Sequence, residues 1–219
     1  MTRADDSPSG NTMIRALRVI RWTALGLIGL LVVAVAVVQL RPRGAQAGGT
    51  VAVPGGISIG GPFHLTDDKD RAVTDADYRG RWMQVFFGYS NCPDECPLTL
   101  QKMAGALNKL GPLADKVAPI FITVDPARDT PGRLKTYLAN FDPRITGLTG
   151  SDARIAAAAK VYRVFYAPSK HEASGADLVN HSTFLYLMDP AGTFSTLFPS
   201  DIDVDKLAGG LGAKLNATH

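Results

Sequence analysis

The sequence FFGYSNCPDECP, from Phe86 to Pro97, contains the only two cysteines of this 219-residue chain. An apolar run ends in a Gly-Tyr-Ser-Asn turn, after which Cys92 and Cys96 follow four residues apart, each before a proline. Apolar residues recur at helical spacing after Pro97, so the stretch predicts a strand, a turn, a cysteine pair and a helix. Pro97 suits the first helical position, because an N–H has no partner there. The positive end of such a helix lowers the pKa of nearby thiols and favours thiolates.

The cysteine pair has three possible roles. Two thiolates at a strand–helix junction can form and exchange a disulfide, or they can hold a soft metal ion. A purely structural disulfide is the third role, but a four-residue separation closes too short a loop to stabilise a fold much. The pair is therefore predicted to be chemical, with redox and metal roles both open.

The segments around the pair predict alternating strands and helices. Trp82–Phe87 and Val117–Val124 are nearly continuous apolar runs typical of strands buried on both faces, and the helix between them makes the two strands parallel. Upstream, residues 63–73 predict a hairpin. The downstream predictions are a helix that begins at Pro131 after the N-cap Thr130, a short strand at 145–148, a helix from Asp152 to Tyr162 capped by Ser151, strands at 183–188 and 193–198, and a last helix from about Asp203. This order predicts an α/β, thioredoxin-like domain with an N-terminal hairpin.

The N-terminal part predicts a membrane anchor. Thr23–Leu40 is a run without any charged residue, and as a helix it would span roughly 27 Å, close to the hydrocarbon thickness of a bilayer. More arginines precede the run than follow it, which slightly favours an N-terminus on the inside. Ala45-Gln46-Ala47 resembles a signal-peptidase site, so a cleaved signal peptide is the alternative. The length of the run and the intervening arginines favour an uncleaved anchor.

The predicted organisation has four parts. Residues 1–22 form a cytoplasmic tail, residues 23–40 a single transmembrane helix, residues 41–59 a flexible tether, and residues 60–219 the folded domain. That domain is expected on the periplasmic or extracytoplasmic side of the cytoplasmic (inner) membrane. Four of the 23 basic and two of the 20 acidic residues lie within the first 40, so the remainder is nearly neutral. A neutral domain gives no reason to expect nucleic-acid binding.

Two further residues are candidates for the site around the cysteines. Asp125 follows the second parallel strand and should lie at the same edge of the sheet as the cysteine turn, either orienting a ligand or beginning the Asp-Pro bend. His181 lies just before a predicted strand and is the candidate third ligand, ahead of His64 and His171, which are expected at the surface. Two thiolates and an imidazole suit Cu(I) and can accept Cu(II) with an added oxygen ligand. Closed tetrahedral zinc would need a fourth protein ligand.

Four separated motifs resemble, in the same order, those of the Sco/SenC family. They are FFGYSNCPDECP, FITVDPARDTPGRL (Phe121–Leu134), GLTGSDARIAAAAKVYRVFY (Gly147–Tyr166) and HSTFLYLMDPAG (His181–Gly192). The resemblance extends from about Gly60 to Phe198. It implies a thioredoxin-like, membrane-anchored copper chaperone that binds copper through Cys92, Cys96 and His181. Glu95 departs from the family, in which a small apolar residue is common at that place.

The resemblance also implies a function. The expected activity is delivery of copper to the copper-receiving subunit of cytochrome c oxidase, for its dinuclear copper centre, and this is not an enzyme reaction in the ordinary sense. The alternative is a thiol–disulfide oxidoreductase, with Cys92 and Cys96 as the redox-active pair, that keeps the oxidase's copper-ligand cysteines reduced. Ordinary redoxins carry C-x-x-C, whereas this pair is separated by one more residue. Another periplasmic copper donor or a thiol reductant is a further expected partner.

Overall fold

The structure is a computed structural model that describes Trp22, residues 59–166 and residues 184–217. The chain divides into two units, Met1–Gln46 and Ala47–His219, and only the helical Trp22 of the first is described. Four predicted features lie outside the described residues and stay predictions: the tail apart from Trp22, the anchor, the tether up to residue 58, and His181. Within the ranges described, no helix combines the length and apolar character needed to cross a bilayer.

The described strands form a seven-stranded sheet, in the order β2-β1-β5-β4-β3-β6-β7. Pairing is parallel between β3 and β4 and between β4 and β5, and antiparallel elsewhere. The strands are β1 (His64–Asp67), β2 (Ala72–Thr74), β3 (Trp82–Gly88), β4 (Val117–Thr123), β5 (Thr146–Thr149), β6 (Phe184–Met188) and β7 (Phe194–Pro199).

The α-helices begin close to the predicted positions because their capping residues are local sequence signals. Thr130 and Ser151 accept hydrogen bonds from N–H groups three residues ahead, and Asp203 accepts one from Asp205, as N-cap residues do. The helices are α1 (Glu95–Leu110), α2 (Pro131–Leu138), α3 (Asp152–Val161) and α4 (Val204–Asn216), and two 3₁₀ helices cover Asp75–Tyr78 and Gly111–Lys116.

The central strands confirm the predicted βαβ unit. Every residue of β3 and of β4 is buried, and the two strands pair in parallel from Trp82 opposite Val117 to Gly88 opposite Thr123. Gly88 and Thr123 therefore end side by side, at the edge where α1 begins. The N-terminal hairpin is also confirmed, with His64 opposite Thr74. The predicted thioredoxin-like α/β fold is correct, and the helix predicted after Thr130 covers Pro131–Leu138.

Gln84 is a buried polar residue in the middle of β3, and it yields a stability prediction. Its side chain is 0 % exposed, and neither Oε1 nor Nε2 has a hydrogen-bond partner among the described residues. Leaving a buried polar group unpaired costs about 1–3 kcal/mol. Gln84→Met keeps a similar volume and removes the polar atoms, so we expect the free energy of unfolding in urea to rise by about 1–3 kcal/mol.

Gln101→Met is the matched control, because Gln101 is exposed on α1. The same chemical change there is expected to alter the unfolding free energy by less than about 0.5 kcal/mol. A lower or unchanged stability of Gln84→Met would mean that the buried amide is hydrogen-bonded in solution, by an internal water molecule for example.

Candidate functional site

The two cysteines flank the start of α1, at the end of β3. The backbone N–H of Cys96 donates to Cys92 Sγ at 3.4 Å, so the Cys92 sulfur satisfies one of the free N–H groups of the first helical turn. Helix α1 begins at Glu95, which makes the predicted start at Pro97 wrong by two residues. Pro97 still falls within the first turn, where a missing N–H costs no intrahelical hydrogen bond.

No disulfide joins the two cysteines, and their surroundings differ. Cys92 is partly exposed and Cys96 is fully buried. A hydrogen bond with the Cys92 side chain and burial raise the pKa of the Cys96 thiol, and the negative charge of Asp129 acts in the same direction. The prediction that the helix end lowers the thiol pKa is therefore wrong for Cys96, because its hydrogen bond and burial outweigh the helix dipole. The Cys96 thiol therefore gives up its proton less readily than an ordinary cysteine does.

Gly88 allows the Cys96 sulfur to lie against the end of β3. A Cβ atom at Gly88 would be 2.8 Å from Cys96 Sγ and 2.8 Å from Phe121 Cε2. Contacts this short are not tolerated, so only glycine fits here without displacement of a neighbour. The sequence showed Gly88 as part of a turn, and its steric role depends on a contact with the next helix that no local pattern reveals.

Asp125 and Asp129 both lie in the loop after β4, and they have different surroundings. Asp125 is buried, and its Oδ2 forms an ion pair with Arg128 Nη1 at 3.5 Å but accepts no hydrogen bond from the described residues. Asp129 instead accepts hydrogen bonds from Ser90, in the cysteine turn, and from Thr123, at the end of β4. Sequence reasoning selected Asp125 and missed Asp129. The available signal was a second acid in the same loop, before the predicted helix at Thr130.

Tyr137 of α2 borders the cysteine pair and was not predicted as a site residue. Its ring packs against Phe121, with ring centroids 6.1 Å apart, and against Phe141. Burial raises the pKa of Tyr137, and negative charge on the cysteine pair, when its thiols are ionised, and on Asp129 acts in the same direction. The phenol is therefore neutral at physiological pH and supplies an apolar wall beside the thiols.

The structure describes one of the three candidate histidines. His64 is exposed on β1, as predicted. His181 and His171 lie outside the described residues. In the described part of the chain, no group of three or more His, Cys, Asp or Glu side chains is arranged to hold a metal ion. The described residues thus contribute two adjacent sulfur donors, a set that can bind a soft metal ion with one further ligand or form a disulfide.

Known proteins resemble this chain over its folded part. The family model described as SCO1/SenC matches residues 52–216. Protein sco1 of Schizosaccharomyces pombe is 41% identical over 166 residues, which cover 74% of this chain and 63% of that protein. The mitochondrial protein SCO1 of Saccharomyces cerevisiae is 44% identical over 156 residues, covering 68% of this chain and 53% of the relative.

A solved structure shares the fold. The crystal structure of Arabidopsis thaliana ScoI with copper bound superposes with a TM-score of 0.68 at 39% identity, covering 73% of this chain and 99% of that one. The chain spans only about half to three fifths of the length of the two curated relatives. The resemblance therefore concerns the folded domain.

Proposed function

Because this chain belongs to the SCO1/SenC family, we propose that it is a membrane-anchored copper chaperone. Cys92, Cys96 and His181 bind copper as cargo, and the domain passes it to the copper-receiving subunit of cytochrome c oxidase for the dinuclear copper centre. The N-terminal segment holds the domain on the extracytoplasmic face of the inner membrane. Another copper donor on that side supplies the cargo.

The observation that carries this proposal is the placement of two adjacent thiols, not joined in a disulfide, at one edge of the sheet. The Cys96 N–H donates to Cys92 Sγ at 3.4 Å, and the two side chains are hydrogen-bonded to each other. Adjacent sulfurs are the donors that Cu(I) prefers. The ScoI structure of Arabidopsis thaliana has copper bound, which supports copper as the cargo here.

The position of the cysteine pair suits the transfer of copper by ligand exchange. Cys92 is partly exposed, so an incoming sulfur of the recipient can reach copper from that side while Cys96 still holds it. The predicted tether of residues 41–59 gives an r.m.s. reach on the order of 20 Å. Attachment of donor and recipient to the same membrane also raises their effective concentration.

A thiol–disulfide oxidoreductase is the second candidate, and the hydrogen bond between the Cys92 and Cys96 side chains favours it. In that role the pair passes two electrons to a disulfide of the oxidase subunit, whose copper-ligand cysteines become thiols. The chain is left with a Cys92–Cys96 disulfide, which a separate thiol reductant must reduce. Both roles are compatible, since copper binds only the reduced pair.

A copper titration tests the proposal. The full chain, reduced and purified in mild detergent, is titrated with Cu(I) against a chromophoric chelator. We expect one copper per chain, and we expect Cys92→Ser/Cys96→Ser to lose that binding while its circular dichroism is unchanged. The contrary result is a wild-type chain that cannot take Cu(I) from the chelator but reduces a disulfide substrate through the cysteine pair. That result would reject the chaperone function in favour of the oxidoreductase function.

A further inference from the structure

The carboxylate of Asp129 joins three segments beside the cysteine pair. Its Oδ2 accepts hydrogen bonds from the Ser90 N–H at 2.9 Å and from Thr123 Oγ1 at 2.6 Å, and its Oδ1 accepts one from Ser90 Oγ. Arg133 Nε on α2 lies 3.8 Å from Oδ1 and donates to Ser90 Oγ at 3.0 Å. The Asp129 side chain is 1 % exposed, so these groups replace water around it.

These contacts fix the position of the cysteine turn relative to the sheet. Ser90 lies two residues before Cys92 in sequence and 39 residues before Asp129. Thr123 ends β4, beside the end of β3, where the Val124 N–H donates to the Gly88 carbonyl at 2.8 Å. One buried carboxylate therefore ties the turn that carries Cys92 to the strand end behind it.

The bonds are also directional. The backbone N–H of Ser90 points into the protein toward Asp129, and charge-assisted hydrogen bonds to a carboxylate are stronger than those between neutral groups. Without the carboxylate, the Ser90 N–H would be left without this acceptor. The turn would then be free to change conformation, and the Cys92 sulfur would move relative to Cys96.

We propose that Asp129 is a positioning residue for the cysteine pair, which holds the Cys92 turn through Ser90 so that both sulfurs face one ion. This inference deepens the proposed function, because it concerns the pair that binds the cargo. The carboxylate binds Ser90 and Thr123 directly. Its effect on the sulfurs therefore passes through Ser90 and the backbone of the turn.

Asp129→Asn tests this proposal, with Asp142→Asn as the matched control. Asp142 is also buried and also lies beside an arginine, Arg144, from which it accepts hydrogen bonds, but it precedes β5 and so lies near the opposite edge of the sheet. Both changes remove one buried charge from beside an arginine. Only Asp129→Asn should alter the cysteine pair.

The first readout is the labelling of the metal-free, reduced full chain with iodoacetamide, followed by mass spectrometry. Cys96 is buried, so we expect it to be labelled several-fold faster in Asp129→Asn than in Asp142→Asn, with urea unfolding measured for both variants. The second readout is the thiolate-to-Cu(II) charge-transfer absorption, which we expect to shift in Asp129→Asn alone. We also expect its Cu(I) affinity to fall by about 10-fold.

Ser90→Ala keeps the proposal testable if Asp129→Asn does not fold, because it removes only the hydroxyl. It should change Cys96 labelling in the same direction by a smaller factor. Wild-type labelling and absorption in folded Asp129→Asn, or in folded Ser90→Ala if the first variant does not fold, would overturn the positioning role. The copper titration of the wild type decides the proposed function separately, since Cys96 labelling requires no copper.

Discussion

Replacing His181 with alanine is expected to lower the affinity for Cu(I) by a factor on the order of 100. Loss of groups that only orient a metal ligand costs 10- to 100-fold, and loss of a ligand itself should reach at least the upper end of that range. Cu(II) binding should suffer more, because Cu(II) favours nitrogen and oxygen donors whereas Cu(I) is retained by soft sulfurs. Competition titrations with both ions, and nitrogen hyperfine coupling in the Cu(II) electron paramagnetic resonance spectrum, measure the effect.

His64→Ala is the matched control for this experiment. His64 is exposed on β1, so its removal should leave both affinities unchanged. The rate at which the reduced pair exchanges with a disulfide substrate should be the same in His181→Ala and in wild type, because that chemistry needs only the two sulfurs. Unchanged copper affinities in His181→Ala would mean that the imidazole is not a copper ligand. That result would favour the oxidoreductase role.

The fold was predictable where its determinants are local. Strands β3 and β4 follow from short, mostly apolar runs, which are typical of strands buried on both faces. Helix starts at Pro131 and Asp152 follow from Thr130 and Ser151, whose side chains cap within three residues. The parallel pairing of β3 with β4 then follows from the helix that connects them.

The site was predictable only in part, because some of its contacts join residues distant in sequence. The pair Cys92 and Cys96 and its place at a helix start were evident from spacing. The sequence did not show which acid binds the cysteine turn. Asp129 is hydrogen-bonded to Ser90 across 39 residues of sequence, and the conformation of the loop after β4 decides between Asp129 and Asp125. The direction of the Cys96 pKa shift also depends on burial and on the Cys92 hydrogen bond, which spacing does not reveal.

Gly88→Ala should damage the fold and the site together. The added Cβ would lie 2.8 Å from both Cys96 Sγ and Phe121 Cε2, and 3.2 Å from Phe86 Cε1. All three neighbours are fully buried, so they have little room to move, and such overpacking costs about 1–3 kcal/mol. We expect urea unfolding to show a loss of that size. The Cys96 sulfur can rotate more readily than the phenylalanine rings can shift, so Cu(I) affinity should fall as well.

Gly209→Ala separates this steric effect from the general effect of replacing glycine with alanine. Gly209 is exposed within α4, and a Cβ atom there would meet nothing within 4 Å. Alanine loses less backbone entropy on folding, so this variant should gain about 0.4–1 kcal/mol of stability and bind copper normally. The same chemical change therefore has opposite signs at the two positions. A Gly88→Ala chain as stable as wild type, with unchanged copper affinity, would mean that the Cys96 sulfur does not rest against β3 in solution.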